Sequence, residues 1–205
     1  MSLPDGFTDI PPGKIAAIAT ILERRDKPAA SGITIEGRPD WRFERVEAPE
    51  HDWYVDLLRR VGSNHLWYQR LITGPEAIAA KITAPTTIIH ALFVDGMAEG
   101  IAELDLSEEG SAELVYFGVT PTLAGSGAAH VMMERLVADA FSRPVDRLWL
   151  HTNTIDHPRA MGFYRRAGFT PVRQMLELAD DPRLMGLFAK DAAPQVPLFP
   201  VSEER

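Results

Sequence analysis

The stretch Val115–Arg135 reads VYFGVTPTLAGSGAAHVMMER, and its reading decides the fold. An apolar run, Val115 to Val119, meets a turn at Thr120-Pro121. Six small residues follow, Ala124-Gly125-Ser126-Gly127-Ala128-Ala129, and then Ala129, Met132, Met133, Leu136 and Ala140 recur at helical spacing. A strand feeding a glycine loop feeding a helix leaves backbone N–H groups unpaired at the positive end of a helix dipole, which suits a phosphate. No Lys-Ser/Thr pair follows, so the loop is not a nucleotide P-loop. The glycine spacing also fails the dinucleotide fingerprint. Two readings of the loop remain: a pyrophosphate site built from main-chain amides, or a helix start whose small residues serve close packing.

On the N-terminal side, Ile88–Val94 and Met97–Leu106 read as strands joined by Asp95-Gly96, a two-residue hairpin signal. Ser107–Gly110 turns again, and Glu113–Val119 completes an antiparallel meander. Earlier in the chain, Trp41–Val46 (WRFERV) alternates as a half-buried strand does. Ala48–Gly62 reads as a helix capped by Asp52, with Val55, Leu57, Leu58 and Val61 on one face. Pro75 opens a second helix to Ile82. Ile15–Leu22 reads as a strand, with a short helix as the alternative. Residues 1–14 look like a loose arm. Glu23–Asp40, broken by Pro28, Gly32, Gly37 and Pro39, is a connector with an extended piece at Ile33-Thr34-Ile35.

On the C-terminal side, Pro144 stops the helix that follows the loop, and Arg147–Thr152 (RLWLHT) is a strand. A strand, a helix and a strand in that order imply a right-handed parallel crossover. His157-Pro158 opens a helix through Arg166, Gly168 caps it, and Thr170–Leu178 is a last strand. From Ala179 the chain is polar and Pro-rich and reads as a surface tail. The expected organisation is an arm with an added strand over 1–40, one α/β (α+β) domain over 41–178 and a tail over 179–205.

Composition narrows the partners. The chain of 205 residues is 45% hydrophobic, enough for one cored domain. Its net charge of −8 disfavours nucleic acid and leans towards a cationic or amine partner. With no cysteine there is no disulfide, thiolate zinc site or cysteine nucleophile. No basic segment precedes an apolar core at the start and no apolar run is long enough to span a bilayer, so the expectation is a cytoplasmic protein without a membrane partner or a metal.

The segment FGVTPTLAGSGAA, followed downstream by HPRAMGFYRRAGF, resembles the GNAT superfamily of acyl-CoA-dependent N-acetyltransferases. That family's loop is Arg/Gln-x-x-Gly-x-Gly/Ala; Gly127 and Ala129 match, and Ala124 stands where the family has Arg or Gln. Its second block is Asn-x-x-Ala-x-x-Phe-Tyr-x-x-x-Gly-Phe; Ala160, Phe163, Tyr164, Gly168 and Phe169 match, and His157 replaces the Asn. The resemblance implies a GNAT-type mixed, mostly antiparallel sheet flanked by helices. It also implies acetyl-CoA as cosubstrate, with its pyrophosphate on the loop Ala124, Gly125, Ser126, Gly127, Ala128 and Ala129. Phe117 and Val119 would pair their backbone with the pantetheine arm, and His157 would hydrogen-bond it.

Acetyl transfer from a thioester to an amine needs a neutral nitrogen and a protonated leaving thiol. An aliphatic amine with a pKa of about 10.4 is mostly charged at neutral pH, and a carboxylate, often through water, can take its proton. The resemblance places Tyr164 beside the sulfur as general acid and Glu113 as base, six residues before Val119. Glu103 on the neighbouring strand is the second candidate base. His151 reads as a core or edge histidine, Trp67 and Tyr68 as packing, and Arg165-Arg166 as a solvated helix face. The expected function is direct transfer, in a ternary complex, to a primary amine of a small molecule or peptide. The alternatives are an acyl-CoA-binding module without turnover and a structural phosphate-binding domain. The acceptor is not legible, and an apolar N-terminal strand is able to pair across a homodimer.

Overall fold

The computed structural model describes residues 5–27 and 40–200. In them one mixed sheet is built from β1 (Lys14–Arg24), β2 (Trp41–Arg45), β3 (Thr87–Val94), β4 (Met97–Asp105), β5 (Gly110–Val119), β6 (Val145–Asn153) and β7 (Thr170–Asp180). The helices are α1 (His51–Gly62), α2 (Pro75–Ile82), α3 (Ala128–Phe141) and α4 (Ala160–Arg166). Strand order is β2-β3-β4-β5-β6-β1-β7, and every neighbouring pair is antiparallel except β5 and β6. No helix among the described residues is long and apolar enough to cross a membrane. The extended piece expected at Ile33-Thr34-Ile35 lies outside the described residues.

Local chemistry accounts for the element ends. Asp95 and Gly96 both adopt positive φ, 51° and 83°, as the tight β3–β4 hairpin requires. Pro49 keeps Ala48 out of the helical region, so α1 begins at His51 rather than Ala48. Asp52 therefore sits inside the first turn, bonded to His51 Nδ1 at 2.7 Å, and no side chain caps the helix. Gly168 takes φ 86° just beyond α4. α4 itself starts at Ala160, because His157–Arg159 forms a turn first.

Two cores result. Leu104, Leu114, Met132, Leu136, Leu148 and Leu150 pack between the sheet and α3. Tyr54, Leu57, Ile78, Ile82, Ile89 and Ile101 pack under α1 and α2 on the other face. Glu103 lies in the second core, fully buried, where it accepts the Tyr54 hydroxyl at 2.5 Å and pairs with Arg70.

Two long-range features add to the sequence reading. The N-terminal strand is present, and as β1 it lies between β6 and β7, bonded to both, with no free edge to offer a second copy. The chain after β7, read from sequence as a Pro-rich surface tail, is anchored to the sheet. Arg183, only 3% exposed, grips Asp181 with both arms of its guanidinium (3.0 and 2.7 Å) and donates to the carbonyls of Ala192, Val196 and Pro197. Gly13 N–H donates to the Phe199 carbonyl, and Asp181 N–H to the Gly13 carbonyl, so this segment is tied to the start of β1.

Removing one partner of a buried ion pair leaves an uncompensated charge. Arg183→Ala should therefore cost about 3–5 kcal/mol, read as a lower urea midpoint with an unchanged m-value.

Candidate active site

The site begins where a pairing stops. β5 and β6 run in parallel register only from Gly110↔Val145 to Glu113↔Trp149; beyond that they part. β5 stays bonded to β4 as far as Val119, and β6 to β1 as far as Asn153. The gap therefore has a strand edge on each side. Thr120 N–H donates to Glu99 on the β4 side, so the ladder's alternation turns the backbone groups of Phe117 and Val119 away from β4 and into the gap. A cavity of about 460 Å³ opens there.

One end of the cavity is the glycine loop. Glu99 on β4 accepts the hydroxyls of Thr120 and Thr122 and fixes the turn before it. Gly125 and Gly127 take φ 78° and 91°, which a side chain rarely tolerates. Within the loop the amides divide into two sets. Ser126 N–H donates to the Leu123 carbonyl and Ala128 N–H to Ser126 Oγ, so both are spent inside the loop. The N–H groups of Gly125, Gly127 and Ala129 have no acceptor among the described residues, and these same residues line the cavity, as does Ala124. The N-cap of α3 is Gly127, which has no side chain to cover the helix's positive end, and only Ala128 N–H there is met by a side chain, that of Ser126. Arg159 and Arg166 also line the cavity.

Tyr164 stands midway. It is 9% exposed, lines the cavity, and its hydroxyl has no hydrogen-bond partner among the described residues. Burial pushes its phenol above the ordinary tyrosine value, and the negative charge of Asp156 adds to the push. Phe117, Phe163 and Phe169 surround its ring. His157 lines the cavity too: its Nδ1 accepts the Arg159 N–H at 3.1 Å, which leaves Nε2 to carry the proton. Burial lowers its pKa, and Arg159 and His65 lower it further.

The far end is aromatic and carboxylate-rich, lined by Trp67, Tyr68, Tyr116, His151, Asp156 and Glu177. Burial, then Glu177, pushes the Tyr68 phenol up to about 12. Trp67 leans on Tyr116 at 5.3 Å and donates to Asp156 at 3.3 Å. Gly118 is required here, since a Cβ would stand 2.7 Å from Val61. His151 faces the cavity, with its Nδ1 3.8 Å from Glu113 Oε1. The Glu113 carboxylate raises the imidazole above its usual pKa, against the pull of burial.

The structure thus gathers most of the expected residues and separates others. Tyr164, Phe117, Val119, Ala124, Gly125, Gly127, Ala129 and His157 line one cavity. Ser126 and Ala128 turn inward. Glu113 lies behind His151 rather than on the cavity wall, and Glu103 is in the core with Arg70, so the two carboxylates do not share a rim. Burial pushes the Glu103 carboxyl up, opposed by Arg70 and Tyr54. His151, Trp67, Tyr68 and Arg166, read as packing or solvated, all line the cavity.

The acetyltransferase (GNAT) family model matches residues 51–169, more than half of the chain, and the chain belongs to that family. An uncharacterised N-acetyltransferase of Mycobacterium tuberculosis is 32% identical over 91 residues, and one of Mycobacterium bovis gives the same figures. The match covers 44% of this chain, and the chain spans 58% of the length of those relatives. A GCN5-related N-acetyltransferase from Sphaerobacter thermophilus superposes with TM-score 0.57 at 15% identity, over 83% of this chain and 53% of that one. A tandem GNAT protein from the clavulanic acid biosynthesis pathway gives 0.57 at 13%, over 84% and 54%. At these identities the likeness to the two structures is one of fold.

The Glu113–His151 pair has a signed pH consequence. A raised imidazole pKa stabilises the fold fully below 6.5, and the contribution fades as pH rises through the raised value. NMR titration of the His151 ring should find a midpoint above 6.5, and Glu113→Gln should bring it down, since burial then acts with less opposition.

Proposed function

We propose that the chain is an acetyl-CoA-dependent N-acetyltransferase acting by direct transfer on a primary amine of a small molecule or peptide. The observation that carries this reading is a single continuous cavity. Three unpaired amides stand at one end, an unbonded phenol in the middle, and an imidazole backed by a carboxylate towards the other end.

In this reading Gly125, Gly127 and Ala129 donate to the pyrophosphate, helped by the open end of α3 and the charge of Arg159 and Arg166. Phe117 and Val119 pair with the amides of the pantetheine arm as a neighbouring strand would. The acceptor amine enters among Trp67, Tyr68 and Tyr116. Its nitrogen attacks the thioester carbonyl, and His151 Nε2 takes the N–H proton as the C–N bond forms. The C–S bond then breaks, and the departing sulfur takes the Tyr164 hydroxyl proton, which solvent restores. A phenol held above its ordinary pKa stays protonated at neutral pH and suits that role. Glu113 acts through His151: it holds the ring by Nδ1 and raises its basicity. Glu103 has no part in the chemistry, because Arg70 and Tyr54 already occupy its carboxylate.

A thiol-release assay with acetyl-CoA and a panel of amines tests the reading. Tyr164→Phe should lower kcat by about a hundredfold while the KM for acetyl-CoA changes little. Equal losses in both would remove the acid role, and coenzyme binding without thiol release from the parent chain would favour a binding module. The basic-going rise of kcat/KM should follow the His151 titration and disappear in His151→Gln.

A further inference from the structure

β7 is the last strand of the sheet, eleven residues long, and its outer edge is unpaired among the described residues. It is also apolar where it faces solvent: Val172, Leu176 and Leu178 are each about half exposed, and so is Ile18 beside them on β1. A long, apolar, open edge invites pairing with another strand.

The backbone tells which groups that edge offers. Ile18 N–H points to the β6 side, where it bonds Thr154 Oγ1 at 3.1 Å. Asp181 N–H donates to the Gly13 carbonyl on the β7 side of β1. Both observations give the same alternation: odd-numbered residues of β7 bond inward to β1, and Gln174, Leu176 and Leu178 present N–H and C=O outward. Pro171, with no N–H to give, marks one end of the usable edge.

We infer that this edge pairs with β7 of a second copy of the same chain, antiparallel about a two-fold axis at Met175. A two-fold pairing sets each residue opposite one fixed partner, so the centre decides every contact. Among the described residues of its own chain, Glu177 accepts only neutral donors, from Asn153, Tyr68 and Gln69. With the axis at Met175 it lies opposite Arg173 of the partner subunit, and the symmetry makes that ion pair twice. Val172 meets Leu178 of the partner subunit, and Gln174 and Leu176 exchange main-chain bonds. Moving the axis one residue either way sets Arg173 opposite Ala179 or Met175 of the partner subunit and loses both ion pairs. Charge complementarity therefore selects the register as well as the partner. Since Glu177 lines the cavity, Arg173 of the partner subunit would stand at its rim, and the dimer would help to shape the far end of the site.

The parent chain has no cysteine, so one introduced residue reads the register directly. At Met175 the two chains face each other in a non-hydrogen-bonded pair with a Cα separation of about 4.5 Å, within disulfide range. Met175→Cys should oxidise to a covalent dimer, and Leu176→Cys, whose opposite neighbour is Gln174 of the partner subunit on the other face, should not. Sedimentation velocity over a concentration series should show a dimer for the parent chain. Arg173→Glu and Glu177→Arg should each raise its dissociation constant at least tenfold, and the double exchange should restore it. A monomeric parent chain, cross-linking at Leu176 as fast as at Met175, or no rescue by the double exchange would each overturn the inference. None of these readouts depends on acetyl transfer, so the fate of the catalytic reading is settled separately.

Discussion

Two parallel strands that cease to bond are the constraint on which this molecule depends. Past Glu113 and Trp149, β5 and β6 keep their outer neighbours and lose each other. A sheet broken from within exposes main-chain donors and acceptors in a place where burial would penalise them unless something fills the gap. The chain meets this cost with a cavity rather than a packed seam. The strand edges line it, the glycine loop closes one end, and α4 brings Tyr164 alongside. Residues from distant stretches of sequence converge because all of them border the same break.

The break needs support on the far side, and β1 supplies it. β6 and β7 run on either side of β1, each antiparallel to it, so the N-terminal strand completes a sheet that would otherwise end at the cavity wall. The Arg183 knot then locks the segment after β7 against the start of β1. Leu66, Ile155, Ala17 and Ala193 pack together beneath this junction. Both ends of the described chain thus pack beside the cavity's far end, although neither carries a motif.

How much of this was legible in the sequence follows from how far each signal reaches. The meander, the Asp95-Gly96 hairpin, the glycine loop and the strand–helix–strand crossover rest on local patterns, and the structure has each of them where the pattern lies. The position of β1 rests on pairing with residues more than a hundred positions away, as in Leu22↔Leu150, which leaves no local trace. The surroundings of Glu103, read as the second candidate base, are hidden for a related reason: nothing in an alternating strand shows that Arg70 and Tyr54 meet its carboxylate. Asp181 and Arg183, two residues apart in a polar run, look like surface charges for the same reason. His151 needed the register: only the end of pairing at Trp149 shows that a histidine two residues on looks into an opening. The loop was readable as a set of small residues, but the division of its amides into Gly125, Gly127 and Ala129 against Ser126 and Ala128 emerged from Leu123 and Ser126 taking up the second pair.

That division is the most direct point at which to test the central claim. Backbone amide chemical shifts should be followed while coenzyme A is titrated into the protein. The account predicts large downfield shifts at Gly125, Gly127 and Ala129, with Ser126 and Ala128 moving far less. Shifts spread evenly over all five amides, or none in the loop, would contradict it.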